Sequence, residues 1–265
     1  MHLELYSQQP QGDLQSTHPT PLLFVHGAWH GSWCWNEHFL PYFAQHGYAS
    51  YTFDLRGHGK SEGEKRLRWT RIADYVADVE QITRQLDRPP VLIGHSMGGL
   101  IVQKYLETHS IPAAVLLASV PPSGALRTTL SIARQHPLPF LKANGTLKLY
   151  PIVGTPVLTR KAFFPERMSD AQVQQYFTYI QNESYRAFLD MMVFSLPRPK
   201  RVKTPMLVLG AECDNIFTPA EVQATARAYH TEATIFPAMA HDMMLGDDWQ
   251  DVADNIARWL AERGL

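Results

Sequence analysis

Residues 91–99, with the sequence VLIGHSMGG, contain the pattern Gly94-x-Ser96-x-Gly98 directly after a short apolar run. The pattern is typical of a sharp strand-to-helix turn that carries a nucleophilic serine. Glycines are needed on both sides because the turn is strained and larger side chains would be crowded there. The N-terminus of the following helix offers free N–H groups and partial positive charge where an oxyanion would form.

The sequence on either side separates this motif from an ordinary glycine turn with a surface serine. Residues 91–93 form an apolar run that predicts a strand buried on both faces. Apolar residues then recur at helical spacing over residues 100–106, which predicts a helix immediately after the turn. Nucleophilic chemistry at Ser96 is therefore the leading hypothesis.

A serine nucleophile needs a base beside it and a group, usually a carboxylate, that orients the base. In open α/β sheets, ligands collect at the carboxyl ends of the strands. Asp214 and His241 each follow a predicted strand, and the order Ser96, Asp214, His241 is the order given for this arrangement. We expect the Ser96 hydroxyl to lie within hydrogen-bond reach of the His241 ring.

Two other acids compete with Asp214 for the orienting role. Glu212 follows the same predicted strand and is the nearer rival. Asp242 adjoins His241, but neighbouring side chains in a loop tend to diverge, so we disfavour it. Since the chain has 12 histidines, a late histidine is informative only because of its position after the last strand.

A second glycine-rich loop, HGAWHGSWCW over residues 26–35, follows the apolar run 21–25. Glycines let backbone N–H groups approach a ligand closely, so this loop can supply the other half of an oxyanion hole. For Trp33 and Trp35 we favour a packing role, because aromatic side chains are more often core residues than ligand contacts. The loop over residues 54–61 lacks phosphate-binding spacing and is interpreted as structural.

Strands and helices alternate along most of the chain, which predicts crossover connections and a mostly parallel sheet flanked by helices. Polar residues 8–20 predict a hairpin and loop. Seven apolar runs predict strands at residues 2–6, 21–25, 48–54, 91–93, 113–118, 206–210 and 234–236. Besides the helix after Ser96, helices are predicted at residues 36–47, 72–86, 219–229 and 249–260.

Residues 121–203 contain no buried-strand run and are rich in Phe, Tyr and Met. We predict that they form a helical cap inserted between two parts of one core domain, residues 1–120 and 204–265. Part of this apolar content must form the core of the cap. The remainder should face the site, which predicts an apolar pocket.

Composition excludes several classes of function. The 265 residues are 45% hydrophobic, enough for a sizeable core, and the net charge of −1 without a basic run argues against nucleic acid. No apolar run reaches membrane-spanning length, and the N-terminus lacks the features of a secretory signal. Cys34 and Cys213 are far apart, which predicts free thiols and a cytoplasmic location. No spacing typical of a metal or cofactor site occurs, so we expect neither.

The chain resembles serine hydrolases of the α/β-hydrolase fold. The matching residues are His26-Gly27, Asp54-x-Arg56-Gly57-x-Gly59-x-Ser61, Gly94-His95-Ser96-Met97-Gly98-Gly99, Asp214-x-Ile216-x-x-Pro219 and His241. The resemblance implies a central sheet of about eight strands and Ser96, His241 and Asp214 as nucleophile, base and orienting acid. It also implies an oxyanion hole formed by the backbone N–H groups of Ala28 and Met97. We further expect Trp29, His95 and Phe217 to contact the substrate.

Residues 26–35 also resemble the plant methylesterase and hydroxynitrile lyase branch of this family. Lyases of that branch carry a lysine directly after the catalytic histidine, where this chain has Asp242, which argues against cyanohydrin chemistry. Haloalkane dehalogenases of this fold use an aspartate where this chain has Ser96, so dehalogenation is disfavoured.

The prediction is therefore a carboxylic ester hydrolase acting on a small to medium apolar ester through an acyl-enzyme. One alternative is another reaction on the same triad: C–C, thioester or amide hydrolysis, or a lyase reaction. The other is a receptor of this fold that binds a ligand and turns it over slowly or not at all. The sequence does not indicate an oligomeric state.

Overall fold

The computed structural model describes residues 1–10 and 18–265. Its seven strands are β1 (Leu5–Gln8), β2 (His18–Val25), β3 (Tyr48–Phe53), β4 (Val91–His95), β5 (Ala114–Leu117), β6 (Met206–Ala211) and β7 (Ala233–Phe236). They form one sheet in the order β1-β3-β2-β4-β5-β6-β7, in which only the β1–β3 pairing is antiparallel. The mostly parallel sheet is confirmed, and its seven strands correspond to the seven apolar runs of the sequence rather than to the eight or so that the resemblance implied.

In the part of the chain that the structure describes, eleven α-helices accompany the sheet. They are α1 (Trp33–Asn36), α2 (Phe39–Gln45), α3 (Ile72–Thr83), α4 (Met97–Tyr105), α5 (Leu126–Gln135), α6 (Pro137–Thr146), α7 (Pro156–Phe163), α8 (Asp170–Phe177), α9 (Tyr185–Leu189), α10 (Pro219–Ala228) and α11 (Trp249–Ala261). Short 3-10 segments lie at residues 64–69, 150–152 and 199–201, and a π-helical segment lies at residues 190–194. No helix in the described part of the chain has the length and apolar character needed to cross a lipid bilayer.

The central strands are buried because helices cover both faces of the sheet. Every residue of β4, β5 and β6 is buried, as expected for parallel strands reached by helical crossovers. Burying one Leu, Ile or Val side chain contributes about 1.5–3 kcal/mol, so these runs supply much of the driving force for folding. The strands thereby become a rigid layer whose carboxyl ends hold the loops of the candidate site.

Local boundaries differ from the sequence predictions at the ends of the sheet and in the first helix. The edge strand lies at 5–8 rather than 2–6, and the helix predicted over residues 36–47 corresponds to α2, which is preceded by the unpredicted short helix α1. Gly47, where the predicted helix ends, has a left-handed backbone with φ 86°, which is typical of glycine just after a helix. The predicted hairpin and loop over residues 8–20 falls mostly outside the described residues, and the structure places residues 18–20 in β2.

Only helical elements, turns and irregular segments lie between β5 and β6. α5 packs against α6 and against the π-helical segment, while α9 packs against the 3-10 segment 64–69 of the sheet-bearing part. Both cysteines are free thiols, Cys34 buried and Cys213 exposed.

Candidate active site

Ser96 lies between the end of β4 and the start of α4, in a strained backbone conformation. Its φ of 53° and ψ of −117° are rare for a residue with a side chain. Its N–H donates to the carbonyl of Leu117 at 3.0 Å, and its carbonyl accepts from Val120 N–H at 3.2 Å. Neighbouring β5 and the segment after it therefore hold the turn in this conformation.

Two glycines make this turn possible by letting backbone segments touch. A Cβ atom at Gly94 would lie 2.6 Å from the carbonyl oxygen of Gly98, closer than side chains tolerate. A Cβ atom at Gly98 would overlap the carbonyl oxygen of Val25, at the end of β2. The glycines of the motif are thus needed for close packing of α4 against the strands, as the sequence predicted.

His241 and Asp214 form a buried hydrogen-bonded pair after β7 and β6. Nδ1 of His241 lies 2.8 Å from Oδ2 of Asp214. The other oxygen of Asp214 accepts the N–H groups of Ile216 at 2.7 Å and Phe217 at 3.1 Å, which fix the carboxylate in place. Burial lowers the pKa of His241, but the charge and hydrogen bond of Asp214 outweigh it and raise that pKa above 6.5.

Neither rival acid contacts the ring nitrogens of His241. Glu212 is exposed and accepts the N–H of Ala238 at 2.9 Å. Asp242 makes no hydrogen bond to the His241 ring in the described residues, and its Oδ2 lies 2.9 Å from Nε2 of His30. The structure therefore joins Asp214, and not Glu212 or Asp242, to His241.

Nε2 of His241 is buried and has no hydrogen-bond partner in the described part of the chain. The expected hydrogen bond from the Ser96 hydroxyl is therefore not formed in this structure. Catalytic hydrogen bonds are often long before substrate binds and tighten in the complex. The unpaired Nε2 atom is therefore available to accept a proton.

Two backbone N–H groups beside Ser96 are free. In the described residues, those of Ala28 and Met97 donate to no other group, although both residues are buried. A Cβ atom at Gly27 would lie 3.0 Å from Cβ of Ser96, so the loop of Ala28 lies against the serine. Buried donors without partners are rare in proteins, and these two are suited to an oxyanion.

Glu183 is a buried carboxylate that the sequence analysis missed. It lies between α8 and α9 and reaches the loops of the sheet, accepting hydrogen bonds from Tyr75 Oη at 2.8 Å and Trp29 N–H at 3.4 Å and lying 3.0 Å from Nε2 of His58. Burial alone would raise the pKa of Glu183, but the neighbouring His58 outweighs burial and lowers that pKa. Burial alone would lower the pKa of His58, but the neighbouring Glu183 outweighs burial and raises that pKa. The two groups therefore form an ion pair that ties the helical segment to the Ala28 loop.

His95, which we expected to contact substrate, lies buried behind His241. Its Nε2 lies 3.1 Å from the carbonyl oxygen of His241 and 3.7 Å from Oδ1 of Asp242. Burial and the neighbouring His241 lower the pKa of His95, so its ring is neutral. His95, His241 and Asp242 are close enough to hold a metal ion, and in the described residues Nδ1 of His95, Nε2 of His241 and Oδ1 of Asp242 have no hydrogen-bond partner.

A mostly apolar cavity of about 50 Å³ lies beside the loop that follows Asp214. Trp29 lines it together with Ile132 of α5 and Ile216 of the loop after Asp214. Phe217 instead packs at a ring distance of 5.8 Å from His241, and neither it nor Ser96 lines the cavity. Trp35 is fully buried and Trp33 partly buried, in agreement with the packing role predicted for them.

The sequence profile described as the alpha/beta hydrolase family matches residues 22–255. A pFDCC methylesterase of Arabidopsis thaliana is 28% identical over 215 residues, which cover 74% of this chain and 77% of that protein. A non-heme chloroperoxidase of Streptomyces lividans is 38% identical over 106 residues, but the match spans only 38% of this chain and 37% of the relative.

Solved structures show the same fold. A monoacylglycerol lipase of Paleococcus ferrophilus has a TM-score of 0.71 and 24% identity, over 99% of this chain and 100% of that one. At this identity the similarity shows the fold alone, so the chemistry must be argued from the site residues.

Proposed function

This chain belongs to the alpha/beta hydrolase family, and on that premise we propose that it hydrolyses carboxylic esters through an acyl-enzyme on Ser96. The observation that carries the proposal is the buried Asp214–His241 pair with Nε2 unpaired, at the same sheet edge as the strained serine turn. The free N–H groups of Ala28 and Met97 support the same reaction.

In the proposed mechanism, Oγ of Ser96 attacks the ester carbonyl carbon while Nε2 of His241 takes the hydroxyl proton. Asp214 keeps the other ring nitrogen oriented and stabilises the imidazolium. The N–H groups of Ala28 and Met97 hold the tetrahedral oxyanion, each lowering the barrier by about 3–4 kcal/mol. His241 returns its proton to the leaving alcohol, and the Ser96 ester remains.

Water then completes the cycle. His241 takes a proton from the water as its oxygen attacks the acyl carbon of the Ser96 ester. Collapse of the second tetrahedral species breaks the bond to Oγ, and His241 protonates the serine. The products are one carboxylic acid and one alcohol, and the residues return to their starting states.

For the substrate, we propose a small to medium ester with an apolar acyl or alkyl group. The cavity bordered by Trp29, Ile132 and Ile216 supports this, because its lining is mostly apolar. We also propose that residues 121–203 act as a cap over a core of residues 1–120 and 204–265. The methylesterase relative supports ester substrates in general.

The test is hydrolysis of 4-nitrophenyl acetate, butyrate, octanoate and palmitate, with a β-diketone and an anilide as competing substrates. We expect ester turnover that is lost in Ser96→Ala and kept in Ser110→Ala, an exposed serine next to the start of β5. Preferential cleavage of the diketone or the anilide would show that the enzyme catalyses C–C or amide hydrolysis instead of ester hydrolysis. Thermal stabilisation by ligand with no turnover would favour the receptor alternative.

A further inference from the structure

The helices that follow β5 lie in a segment without any acidic residue. Between Glu107 and Glu166 the chain has no Asp or Glu, while six Lys and Arg residues occur there. Because the whole chain has a net charge of −1, positive charge is concentrated in this segment. α5 and α6 lie in its middle, joined by the single residue His136.

Four leucines on these two helices are exposed to solvent. Leu126 and Leu130 of α5 have 49% and 50% of their surface exposed, and Leu138 and Leu141 of α6 have 77% and 66%. The two helices pack against each other, and the leucines of each helix are three or four residues apart, so each pair lies on one face of its helix. A group of exposed leucines indicates an interaction site.

Exposed cations lie among these leucines. Arg134 follows Leu130 by one helical turn on α5, and Lys142 follows Leu141 directly on α6. Lys148 is exposed just beyond α6, and none of these three cations has a salt bridge in the described part of the chain. We call Leu126, Leu130, Leu138 and Leu141 with Arg134, Lys142 and Lys148 the α5–α6 surface.

We propose that the α5–α6 surface docks on an anionic lipid surface. Leucines beside Lys and Arg on a pair of helices are the composition that binds the headgroup region, with the apolar side chains inserted and the cations near anionic headgroups. Charge decides against a second copy of this chain, because two α5–α6 surfaces would bring like charges together.

Docking would place the cavity bordered by Trp29 beside the lipid. Ser131, Ile132 and Gln135 of α5 line the cavity that Trp29 also borders, so this helix carries exposed leucines and forms part of the cavity wall. An amphiphilic ester could then reach the cavity from the lipid surface. This consequence rests on the proposed function, whereas docking itself does not.

The first test measures co-sedimentation of the full chain with vesicles of phosphatidylcholine, alone or mixed with phosphatidylglycerol, at low salt. We expect binding to the mixed vesicles only, and a loss of about a hundredfold in the variant R134Q/K142Q/K148Q, at about 1 kcal/mol per cation. The matched control is K200Q/R201Q/K203Q, which removes three exposed cations just before the amino end of β6. Equal losses in both variants would overturn the proposal, because they would show a general charge effect.

The second test replaces apolar side chains. In L138E/L141E we expect vesicle binding to be lost while hydrolysis of dissolved 4-nitrophenyl acetate and the unfolding temperature stay unchanged. Trp69→Glu, at an aromatic residue that is 59% exposed outside α5 and α6, should keep vesicle binding. Full binding by L138E/L141E, or a concentration-dependent dimer of the wild type that this variant abolishes, would contradict lipid docking. Vesicle binding by an enzyme that hydrolyses no ester would leave docking intact and refute only the proposed function.

Discussion

At the scale of single residues, the protonation of His241 should set the acid limit of activity. The base must be neutral to accept the serine proton, and Asp214 raises the pKa of His241 above 6.5 in spite of burial. We therefore expect kcat/KM to rise with pH through a midpoint above 6.5, measured with a soluble ester. Asp214→Asn should lower kcat by roughly four orders of magnitude and move this limb to lower pH.

Glu212→Gln is the matched control for that pH profile, because Glu212 is exposed and does not contact the ring nitrogens of His241. It should leave both kcat and the midpoint unchanged. A midpoint that stays in place in Asp214→Asn would show that another group controls this limb.

Glu183 is expected to act as a positioning residue for the Ala28 loop. Glu183→Gln keeps the shape of the side chain but removes the negative charge that holds His58 and the N–H of Trp29. Because small displacements of an oxyanion donor are costly, we expect kcat to fall by about tenfold to a hundredfold with KM little changed. Steady-state kinetics with a soluble ester measures kcat and KM separately.

Asp190→Asn provides the comparison for Glu183→Gln. Asp190 is also a buried carboxylate from the helical segment, but it accepts the N–H of Ile72 at 3.1 Å at the start of α3. This variant should lower the unfolding temperature and leave kcat unchanged. If Glu183→Gln behaves in the same way, Glu183 has a structural role only.

The Glu183–His58 pair also makes stability depend on pH. His58 has a raised pKa, so its contribution is complete below 6.5 and is lost as pH rises through its pKa in the folded state. Glu183 has a lowered pKa, so its contribution is present above 4.5 and is lost as pH falls through its folded pKa. The unfolding temperature of wild type should therefore exceed that of Glu183→Gln by most between pH 4.5 and 6.5, and by less at higher and lower pH.

At the scale of elements, the contact between α4 and β2 depends on Gly98. A Cβ atom there would overlap the carbonyl oxygen of Val25, and neither backbone can move without disturbing the Ser96 turn. Gly98→Ala should lower the free energy of unfolding by about 1–3 kcal/mol, measured by urea denaturation. Gly145→Ala in α6, where a Cβ meets no atom within 4 Å, should instead raise it by about 1 kcal/mol. Equal effects of the two substitutions would contradict this packing account.

Elements with strong local patterns could be predicted from the sequence, and elements shaped by distant contacts could not. The buried runs of β4, β5 and β6 are evident because every residue in them except His95 is apolar or small. The edge strand β1 was misplaced by a few residues because its register depends on pairing with β3. The sequence pattern also does not indicate the separate short helix α1, because no glycine or proline lies between it and α2.

The same distinction applies to the site. Ser96, Asp214 and His241 follow strands, so topology alone predicts that they meet, and the Asp214–His241 hydrogen bond agrees with that. Glu183 carries no signal in its own neighbourhood, because its partners His58 and Tyr75 lie 125 and 108 positions away. The missing bond between Ser96 and His241 reflects side-chain placement, which strand order does not determine.

At the scale of the whole molecule, the proposed activity depends on one covalent step at one serine. We propose to treat the full chain with a fluorophosphonate, measure the intact mass and locate the adduct by peptide mapping. The predicted result is a single adduct on Ser96, complete loss of ester hydrolysis, and no adduct in Ser96→Ala. An adduct on another residue, or ester hydrolysis that persists in Ser96→Ala, would contradict the central claim.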